Sequence, residues 1–466
     1  MNVKADIKIL TDRARVAQQL VEGYSQEQVD ELITAMVWSV ARSGPAEKIA
    51  RLAVEETRLG NYEGKLTKMA SKCRAALADI IHDKSVGVIE ADDERNLIKI
   101  AKPIGVVGAL TPTTHPEASP VVKAIAAVKG RNAIIIAPHP RGKKTCQLVC
   151  EYMRDALEAC GAPRDLIINM EDPTLEHTGE LMKQVDVVLA TGGGAMVKAA
   201  YSSGTPAFGV GAGNAVIIVD ETADIDDAVT KIHSSKTFDL AASCSADNTV
   251  IGVEDIYAEL VEKLQAQGGY LASDTEYQML AETLWSDGHL NPDIIAQSAQ
   301  RIGELAGISI PQDKSFIMVP ESGYGPEHPF SGEKLSVVMA LYKVENLKAA
   351  IELTNNIQEY SGYGHSCGLF TSSDQNVLEL ALGTKTSRVM VNQPQASSNS
   401  GALWNGMRQT FSLGCGSWGG NVTTENITWR HLVNITWVSK PLATPKTLPS
   451  DEELFGAVME KISTGV

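Results

Sequence analysis

One stretch of the chain, residues 186–198, has the sequence DVVLATGGGAMVK. Its first five residues predict a buried strand, the glycines predict a tight turn, and the residues after them predict a helix. Glycine lets backbone amides approach a ligand closely, and the N-terminus of a helix attracts phosphate. Because the stretch does not match GxGxxG, dinucleotide binding by Thr191, Gly192 and Gly193 and a plain tight turn are equally good interpretations.

Strands and helices alternate at short spacing around this stretch. We predict strands at 104–110, 132–138, 165–170, 186–190 and 216–220, with helices at 117–130, 142–160, 174–183 and 195–203 between them. This alternation is typical of a doubly wound parallel sheet. The expected fold class is therefore α/β, with a helical layer and a dinucleotide-binding domain at 1–234, a second α/β domain at 235–415, and an extended segment with a tail helix at 416–466.

Composition and charge exclude several classes of protein. Of the 466 residues, 44% are hydrophobic and 21% are charged, which is ordinary globular composition. The 41 Lys and Arg against 57 Asp and Glu give a net charge of −16, which disfavours nucleic acid as a partner. No run of 18 apolar residues predicts a membrane span, and the N-terminus lacks the apolar core of a secretory signal. The seven cysteines are scattered without a CxxC motif, so we expect no disulfide framework, no metal site and a cytoplasmic location.

A basic turn follows the predicted strand at 132–138. It contains Pro138, His139, Arg141 and Lys143. An NAD site usually places Asp or Glu near the adenine ribose, whereas an Arg accommodates the 2′-phosphate of NADP. The turn therefore indicates NADP or NAD as cofactor, and the alternative is a solvated basic turn that binds nothing.

Cys244 lies in a loop of small residues, LAASCSA, at 240–246. A cysteine thiolate is a nucleophile that attacks carbonyl carbons, although most free cysteines are small core residues. The position of this loop, just past the dinucleotide unit, favours a nucleophile. Cys146, Cys150, Cys367 and Cys415 are expected to pack.

Five segments in order resemble the CoA-acylating aldehyde dehydrogenases. They are TGGGAMVKAAYSSG (191–204), GVGAGN (209–214), the Cys244 loop, EKLS (333–336) and LGCGSWGGN (413–421). The resemblance is strongest to the aldehyde half of bifunctional aldehyde–alcohol dehydrogenases and to CoA-dependent succinate-semialdehyde dehydrogenases.

The resemblance implies an aldehyde-dehydrogenase-like fold whose second α/β domain is catalytic and whose C-terminal segment is an oligomerisation element. It implies the reversible conversion of an aldehyde, CoA and NAD(P)⁺ to acyl-CoA and NAD(P)H, in a homodimer or homotetramer. Cys244 falls on the catalytic thiol, which forms a thiohemiacetal and then a thioester. Glu333 falls on the residue that contacts the nicotinamide ribose, and Gly192 and Gly193 would lie along the cofactor.

One absence relative to hydrolytic enzymes and one departure from the family pattern concern catalysis. Hydrolytic relatives carry a Glu that activates water, and the aligned residue here is Gly209, so a thiol such as CoA is the expected acyl acceptor. The oxyanion turn of relatives, Thr-Thr-Asn-Pro, is TTHP at 113–116. Either the ring of His115 or the backbone amide of Cys244 is then expected to donate to the oxyanion.

Further polar residues bear on the substrate. Ser243 precedes the nucleophile, Ser397 and Asn399 lie in a polar loop, and His365 matches a Gly-His-Thr segment of relatives. This mixture favours a polar or anionic aldehyde, with sulfoacetaldehyde ranked first and succinate semialdehyde or acetaldehyde as alternatives; a hydrolytic dehydrogenase is the remaining option. The opposite interpretation is that these residues only reshape the loops, and that His365 makes a structural hydrogen bond.

Overall fold

A computed structural model describes residues 2–463 of the chain. The helices are α1 (Val3–Val21), α2 (Gln26–Ala41), α3 (Pro45–Thr57), α4 (Tyr62–Thr67), α5 (Cys73–Ile80), α6 (Ser119–Lys129), α7 (Lys143–Ala159), α8 (Leu175–Gln184), α9 (Gly194–Tyr201), α10 (Ile225–Thr237), α11 (Glu254–Ala266), α12 (Asp274–Leu284), α13 (Ala299–Ala306), α14 (Leu347–Tyr360), α15 (Asp374–Gly383), α16 (Gln395–Ser398) and α17 (Asp451–Ser463). The strands are β1 (Gly87–Asp92), β2 (Leu97–Pro103), β3 (Val106–Thr111), β4 (Ala133–Pro138), β5 (Ile167–Asn169), β6 (Val187–Thr191), β7 (Ala207–Val210), β8 (Ala215–Val219), β9 (Asp247–Val253), β10 (Gly269–Leu271), β11 (Trp285–Ser286), β12 (His289–Leu290), β13 (Phe316–Pro320), β14 (Val338–Val344), β15 (Cys367–Phe370), β16 (Val389–Val391) and β17 (Val433–Ser439).

The first sheet has five parallel strands in the order β5-β4-β3-β6-β7. Every residue of β3 and β4 is buried, as in parallel strands that are covered on both faces. Helices α1 and α6 pack on these strands, and α2 packs on α6 and α7, which forms the predicted N-terminal helical layer. The continuous apolar run at 132–138 therefore correctly predicted a strand that is buried on both faces.

The second sheet has seven parallel strands in the order β10-β13-β14-β9-β8-β15-β16. We expected the strand at 216–220 in the first sheet, but β8 pairs with β9 and β15 of the second. The loop 211–214 carries the chain from one sheet to the other, and an apolar strand pattern does not reveal which sheet the strand joins. The domain boundary at 234/235 stays a prediction, whereas the two sheets divide between Val210 and Ala215.

The third sheet is antiparallel, with the order β1-β2-β17. Strand β17 was predicted as extended chain, but β1 and β2 were missed. Most of their residues are only partly buried, so the sequence LIKIAKP of β2 shows no strict apolar alternation. Only β17 of these three strands lies in the C-terminal segment predicted as extended, and the α/β fold class is confirmed.

The two parallel sheets position the loops that matter for function. Loops that follow β3 and β6 and loops that precede β9 and β14 meet in one region between the sheets. No helix within residues 2–463 is long and apolar enough to cross a membrane.

Candidate active site

A cavity of about 290 Å³ lies where these four loops meet. Its lining comes from both parallel sheets, so neither half of the chain forms it alone. Of the site residues predicted from the sequence, the lining includes Cys244, His115, Ser243, Thr191, Gly192, Gly193, His139 and Glu333. The predicted nucleophile and the predicted cofactor turn therefore face the same space.

The segment that carries Cys244 has an unusual backbone. Asp239, Leu240 and Ala241 have φ angles of 48°, 52° and 58°, in the left-handed region that residues with a Cβ rarely adopt. In the turn that follows, the Ser245 amide donates to Oγ of Ser243 at 3.2 Å. Burial, and then Glu333, raise the pKa of the Cys244 thiol to about 12. The resting side chain is thus a neutral thiol, and its ionisation at neutral pH needs a positive charge or a base brought into the cavity.

Glu333 and the crossover loop pack against the Cys244 segment. Oε1 of Glu333 accepts a hydrogen bond from the Gly213 amide at 3.0 Å, and Oε2 has no hydrogen-bond partner within residues 2–463. A Cβ at Gly213 would lie 2.9 Å from the Cβ of Cys244, so only glycine allows this approach. Burial raises the pKa of Glu333 to about 8. Its free oxygen is available to a hydroxyl group in the cavity.

Open space lies in front of α9, where a dinucleotide would need it. A Cβ added at Gly193 or Gly194 would meet no atom within 4 Å. The N-terminal amides of a helix attract phosphate groups. Oγ of Thr191, at the end of β6, lies 3.3 Å from Oγ of Ser412. The glycine turn therefore fits the pyrophosphate of a dinucleotide, and the free Oε2 of Glu333 fits a ribose hydroxyl.

Two buried lysines, which the sequence analysis missed, lie beside the oxyanion turn. Nζ of Lys65 lies 3.2 Å from Oδ2 of Asp239 and 3.7 Å from Oε2 of Glu117, and Nζ of Lys68 contacts the same two carboxylates. Burial alone would lower the pKa of Lys65, but Glu117 and Asp239 raise it above its usual value. Ligand atoms of His115, Glu117 and Asp239 lie within 4.8 Å of one another, as a metal ion would require. The ammonium group of Lys68 already lies among them and would repel a cation.

His115 takes the place of the relatives' Asn in the oxyanion turn. Its Nδ1 lies 2.8 Å from Nζ of Lys68, and its ring centre is 5.6 Å from that of Phe411. Burial and the neighbouring Lys68 hold the pKa of His115 well below its usual value. The imidazole is therefore neutral, and it offers a hydrogen bond but no positive charge to a substrate.

Lys72 is the charged group that lines the cavity beside these residues. Its Nζ donates to the carbonyl oxygens of Ser397 and Gly401, at 2.6 and 2.9 Å. An ammonium group has three N–H donors, so one remains for a ligand. Burial lowers the pKa of Lys72 to about 8, so the cationic form predominates at neutral pH.

The signal for these lysines was present in the sequence. Lys65, Lys68 and Lys72 follow the three- and four-residue spacing that places side chains on one face of a helix. Lys68–Lys72 forms a π-helical turn, a feature common at functional sites but not visible from composition. The segment 61–84 was predicted as an ordinary helix, so no function was assigned to its lysines.

Three predicted cofactor residues do not line the cavity. Pro138 ends β4, Nη2 of Arg141 donates to the Thr57 carbonyl at 3.2 Å, and Lys143 forms a 2.6 Å ion pair with Asp172. They surround His139, which does line the cavity. Their contact with a cofactor stays a prediction.

Three predicted substrate residues also lie behind the cavity lining. Nδ1 of His365 is 2.8 Å from Oγ of Ser366, and burial lowers the His365 pKa to about 3. Nδ2 of Asn399 donates to the same hydroxyl at 3.2 Å. Oγ of Ser397 donates to the Pro394 carbonyl at 3.3 Å. The backbone carbonyl of Ser397 accepts a hydrogen bond from Lys72, and this contact links Ser397 to the cavity. Substrate contact by these side chains stays a prediction.

The sequence resemblance aligns Gly209 with the base of hydrolytic relatives, and in the structure neighbouring side chains fill this place. A Cβ at Gly209 would lie 2.7 Å from the Tyr201 ring and 2.7 Å from Cγ1 of Val197. The Gly209 amide also donates to the Tyr201 hydroxyl at 3.0 Å. A carboxylate is therefore absent at this position and sterically disfavoured.

We expect Gly209→Glu to lower the free energy of unfolding by about 1–3 kcal/mol, the usual cost of overpacking, and not to increase hydrolysis. The triple variant Val197→Ala/Tyr201→Ala/Gly209→Glu removes both obstructing side chains, makes room for the base and should raise the ratio of free acid to acyl-CoA. Thermal denaturation and chromatographic product analysis measure both effects. An unchanged melting temperature of the single variant would contradict the steric argument.

A thiol that faces a cavity of this kind can hold a carbonyl carbon covalently while a hydride leaves that carbon. The fold and the cavity define a thiol-dependent, dinucleotide-using dehydrogenase of carbonyl compounds. The comparisons with known proteins agree with this class. The model of the aldehyde dehydrogenase family matches residues 2–276.

Curated relatives and solved structures match nearly the whole chain. It is 46% identical to a sulfoacetaldehyde dehydrogenase of Acholeplasma sp., over 97% of this chain and 93% of the relative. It is 39% identical to a succinate-semialdehyde dehydrogenase (acetylating) of Clostridium kluyveri, over 98% of this chain and 100% of the relative. An acetylating aldehyde dehydrogenase from Geobacillus thermoglucosidasius superposes with a TM-score of 0.92 at 36% identity, over 96% of this chain and 98% of that one. A propionaldehyde dehydrogenase of Rhodopseudomonas palustris, solved with bound CoA and an acylated cysteine, superposes with a TM-score of 0.82 at 27% identity, over 93% and 97% of the two chains.

The chain therefore belongs to the aldehyde dehydrogenase family, among its acylating members. Dehydrogenases of this type are oxidoreductases that use NAD(P) and CoA. The resemblance seen in the sequence is confirmed, and so is the class of reaction.

Proposed function

We propose that the chain oxidises sulfoacetaldehyde with NAD(P)⁺ and CoA, giving the acyl-CoA and NAD(P)H in a reversible reaction. The observation that carries the proposal is Lys72, a cation with an N–H to spare in the cavity that holds Cys244. A sulfonate stays ionised at any physiological pH, and a chain with a net charge of −16 would otherwise repel it. The similarity to a sulfoacetaldehyde dehydrogenase supports the same substrate.

In the proposed mechanism the Cys244 thiol first loses its proton to solvent, which the positive charge of a bound NAD(P)⁺ would favour, and the thiolate then attacks the aldehyde carbon to form a thiohemiacetal. The negative charge that develops on the aldehyde oxygen needs a donor, and the His115 ring and the Cys244 amide are the candidates. The Cys244 amide has no acceptor within residues 2–463. When bound, NAD(P)⁺ supplies a hydride acceptor, and Cys244 then carries the acyl group as a thioester.

The acyl group leaves by thiol exchange. The CoA thiolate attacks the thioester carbonyl, the bond to Sγ of Cys244 breaks, and the cysteine thiolate is restored. Water competes poorly because the place of the hydrolytic base is filled by Tyr201 and Val197. The protein thus favours CoA as acceptor by omitting the group that would activate water.

We also propose that NADP is used at least as well as NAD. Arg141 and Lys143 lie just past the end of β4, and one terminal nitrogen of Arg141 remains free for a phosphate. Among the described residues that line the cavity with His139, Glu333 is the acidic one, and the resemblance assigns it to the nicotinamide ribose and not to the adenine ribose. An arginine in this place accommodates the 2′-phosphate.

Arg141→Ala is expected to raise the KM for NADP about tenfold, the loss of one charge-assisted hydrogen bond, and to leave the KM for NAD within about twofold. Arg301→Ala, an exposed change on α13, is the matched control and should alter neither value. Equal losses for the two cofactors would instead assign Arg141 to the shared phosphates or to folding.

One panel of assays separates the candidate functions. NAD(P)H formation is followed with sulfoacetaldehyde, succinate semialdehyde and acetaldehyde, each with and without CoA. We expect CoA-dependent turnover with the highest kcat/KM for sulfoacetaldehyde. A higher value for succinate semialdehyde would favour the longer anionic aldehyde, and CoA-independent formation of free acid would favour a hydrolytic dehydrogenase.

A homodimer or homotetramer and a cytoplasmic location remain proposals. Strand β17 is an edge strand within residues 2–463, and Trp437 on it is 56% exposed, which supports pairing with a second copy. All seven cysteines are free, which supports a reducing compartment.

A further inference from the structure

Only one tautomer of a neutral His115 ring can donate a hydrogen bond into the cavity, whereas an asparagine amide always has N–H groups to donate. A neutral imidazole carries its hydrogen on only one of two ring nitrogens, and the other nitrogen is an acceptor. An oxyanion needs a donor, so His115 serves catalysis only if the hydrogen is on the nitrogen that faces the cavity.

The contact with Lys68 selects that tautomer. Nζ of Lys68 lies 2.8 Å from Nδ1 of His115. In its ion pair with Asp239, Lys68 is an ammonium group, which has only donors, so Nδ1 accepts and the hydrogen is on Nε2. The His115 ring lines the cavity that contains Cys244.

Lys68 is itself held in place between two carboxylates, Asp239 and Glu117, which oppose the lowering of its pKa by burial. It contacts Oδ2 of Asp239, and its Nζ is 3.7 Å from Oε1 of Glu117. The other oxygen of Asp239 accepts from the Asn61 amide at 2.9 Å. A Cβ at Gly64 would lie 2.5 Å from the Cβ of Asp239, so the carboxylate is packed tightly against α4.

We propose that Lys68 is a positioning residue, which holds neutral His115 as its Nε2–H tautomer so that this N–H donates to the aldehyde oxygen. Asp239 begins the strained segment that leads to Cys244. The Lys68 ammonium group therefore contacts both the ring that donates to the aldehyde oxygen and the segment that carries the nucleophile. The aldehyde part of this inference rests on the proposed function, whereas the tautomer does not.

The surrounding charges support a neutral ring with one donor. The titratable groups that face His115 or share its cavity are Lys65, Lys68, Lys72, Glu117, His139, Asp239, Cys244 and Glu333. Burial and Lys68 lower the pKa of His115, so the imidazole stays neutral through the working range of pH. Lys68 therefore determines which nitrogen is the donor.

The first test is Lys68→Met, which keeps the length of the side chain and removes the ammonium group. Without Lys68 the hydrogen can move to Nδ1, so we expect kcat/KM to fall roughly tenfold at pH 8, the loss of one hydrogen bond to a charged group. The pKa of His115 should also rise, because one cation is gone and Asp239 remains. As the pH is lowered, imidazolium, which carries a hydrogen on both nitrogens, should form more readily in the variant than in the wild type, so the ratio of variant to wild-type kcat/KM should increase.

The control is the same change in a His115→Asn background. There we expect a smaller loss that does not depend on pH, because an amide has no tautomers to select. Lys68→Arg, which keeps a donor, should restore part of the activity. A loss that is equal in both backgrounds and independent of pH would overturn the proposal and leave Lys68 with a structural role.

The second test does not require turnover. Nitrogen-15 NMR of histidine-labelled protein, with the His115 signal identified by its absence in His115→Asn, reports the tautomer directly. We expect the Nε2–H form in the wild type and a mixture in Lys68→Met. An Nδ1–H form in the wild type would overturn the proposal even if Lys68→Met fails to fold. If the spectra are as expected but the protein turns over no aldehyde with CoA, the proposed function is wrong and the tautomer assignment stands.

Discussion

Cys244→Ala is expected to abolish NAD(P)H formation from every aldehyde, by about a thousandfold or more, because no other thiol can form the covalent intermediate. Cys244 alone of the seven cysteines lines the cavity between the two sheets. Binding of NADP, followed by calorimetry, should change little, since the glycine turn and Glu333 are untouched. The melting temperature should also stay close to that of the wild type, because the change removes only one sulfur atom.

Cys367→Ala is the matched control for this experiment. That residue is fully buried in β15 and does not line the cavity, so the variant should lose stability while keeping its turnover. Mass spectrometry of the wild type, incubated with aldehyde and NAD(P)⁺ but no CoA, should find the acyl group on the Cys244 peptide. Near-normal turnover of Cys244→Ala, or an adduct on another cysteine, would refute the mechanism.

Fold class and most elements followed from the sequence because the strands of the two parallel sheets are buried on both faces. Strand β4 has no exposed residue, so its sequence is a continuous apolar run, which is typical of a strand buried on both faces. Strand β2 pairs between two neighbours in a half-exposed sheet, and its mixed polarity gave no such signal. The sheet to which β8 belongs depends on a crossover loop, which is a tertiary feature and not a local one.

The candidate site was only partly predictable for a similar reason. Cys244 and Glu333 lie in motifs that resemble a family, so their positions could be carried over residue by residue. Lys68 and Lys72 lie far from those motifs in sequence, and only the folded chain brings them to the cavity. The structure also changes the expectation for His115: as a neutral ring it is a donor for the oxyanion, and the positive charge for an anionic substrate comes from Lys72.

Lys72→Met is accordingly expected to lower kcat/KM for sulfoacetaldehyde about 10- to 150-fold, the loss of a hydrogen bond from a charged donor worth about 1.5–3 kcal/mol. Acetaldehyde has no sulfonate, so its kcat/KM should stay within about twofold of the wild type. His115→Asn should lower the values for both aldehydes alike. The comparison of the two aldehydes in each variant separates the role of charge from the role of the oxyanion donor.

The pH dependence gives an independent measure of the same interaction. The pKa of Lys72 is lowered to about 8 by burial, so the side chain is cationic below this pH and neutral above it. The KM for sulfoacetaldehyde should therefore rise as the pH increases through 8, whereas the KM for acetaldehyde should not, and Lys72→Met should show no such rise. Lys72 also holds the carbonyls of Ser397 and Gly401, so its removal could disturb the loop as well as the charge. A disturbed loop would slow both aldehydes equally at every pH, and that result would assign Lys72 to the structure of the cavity wall instead of the recognition of the anion.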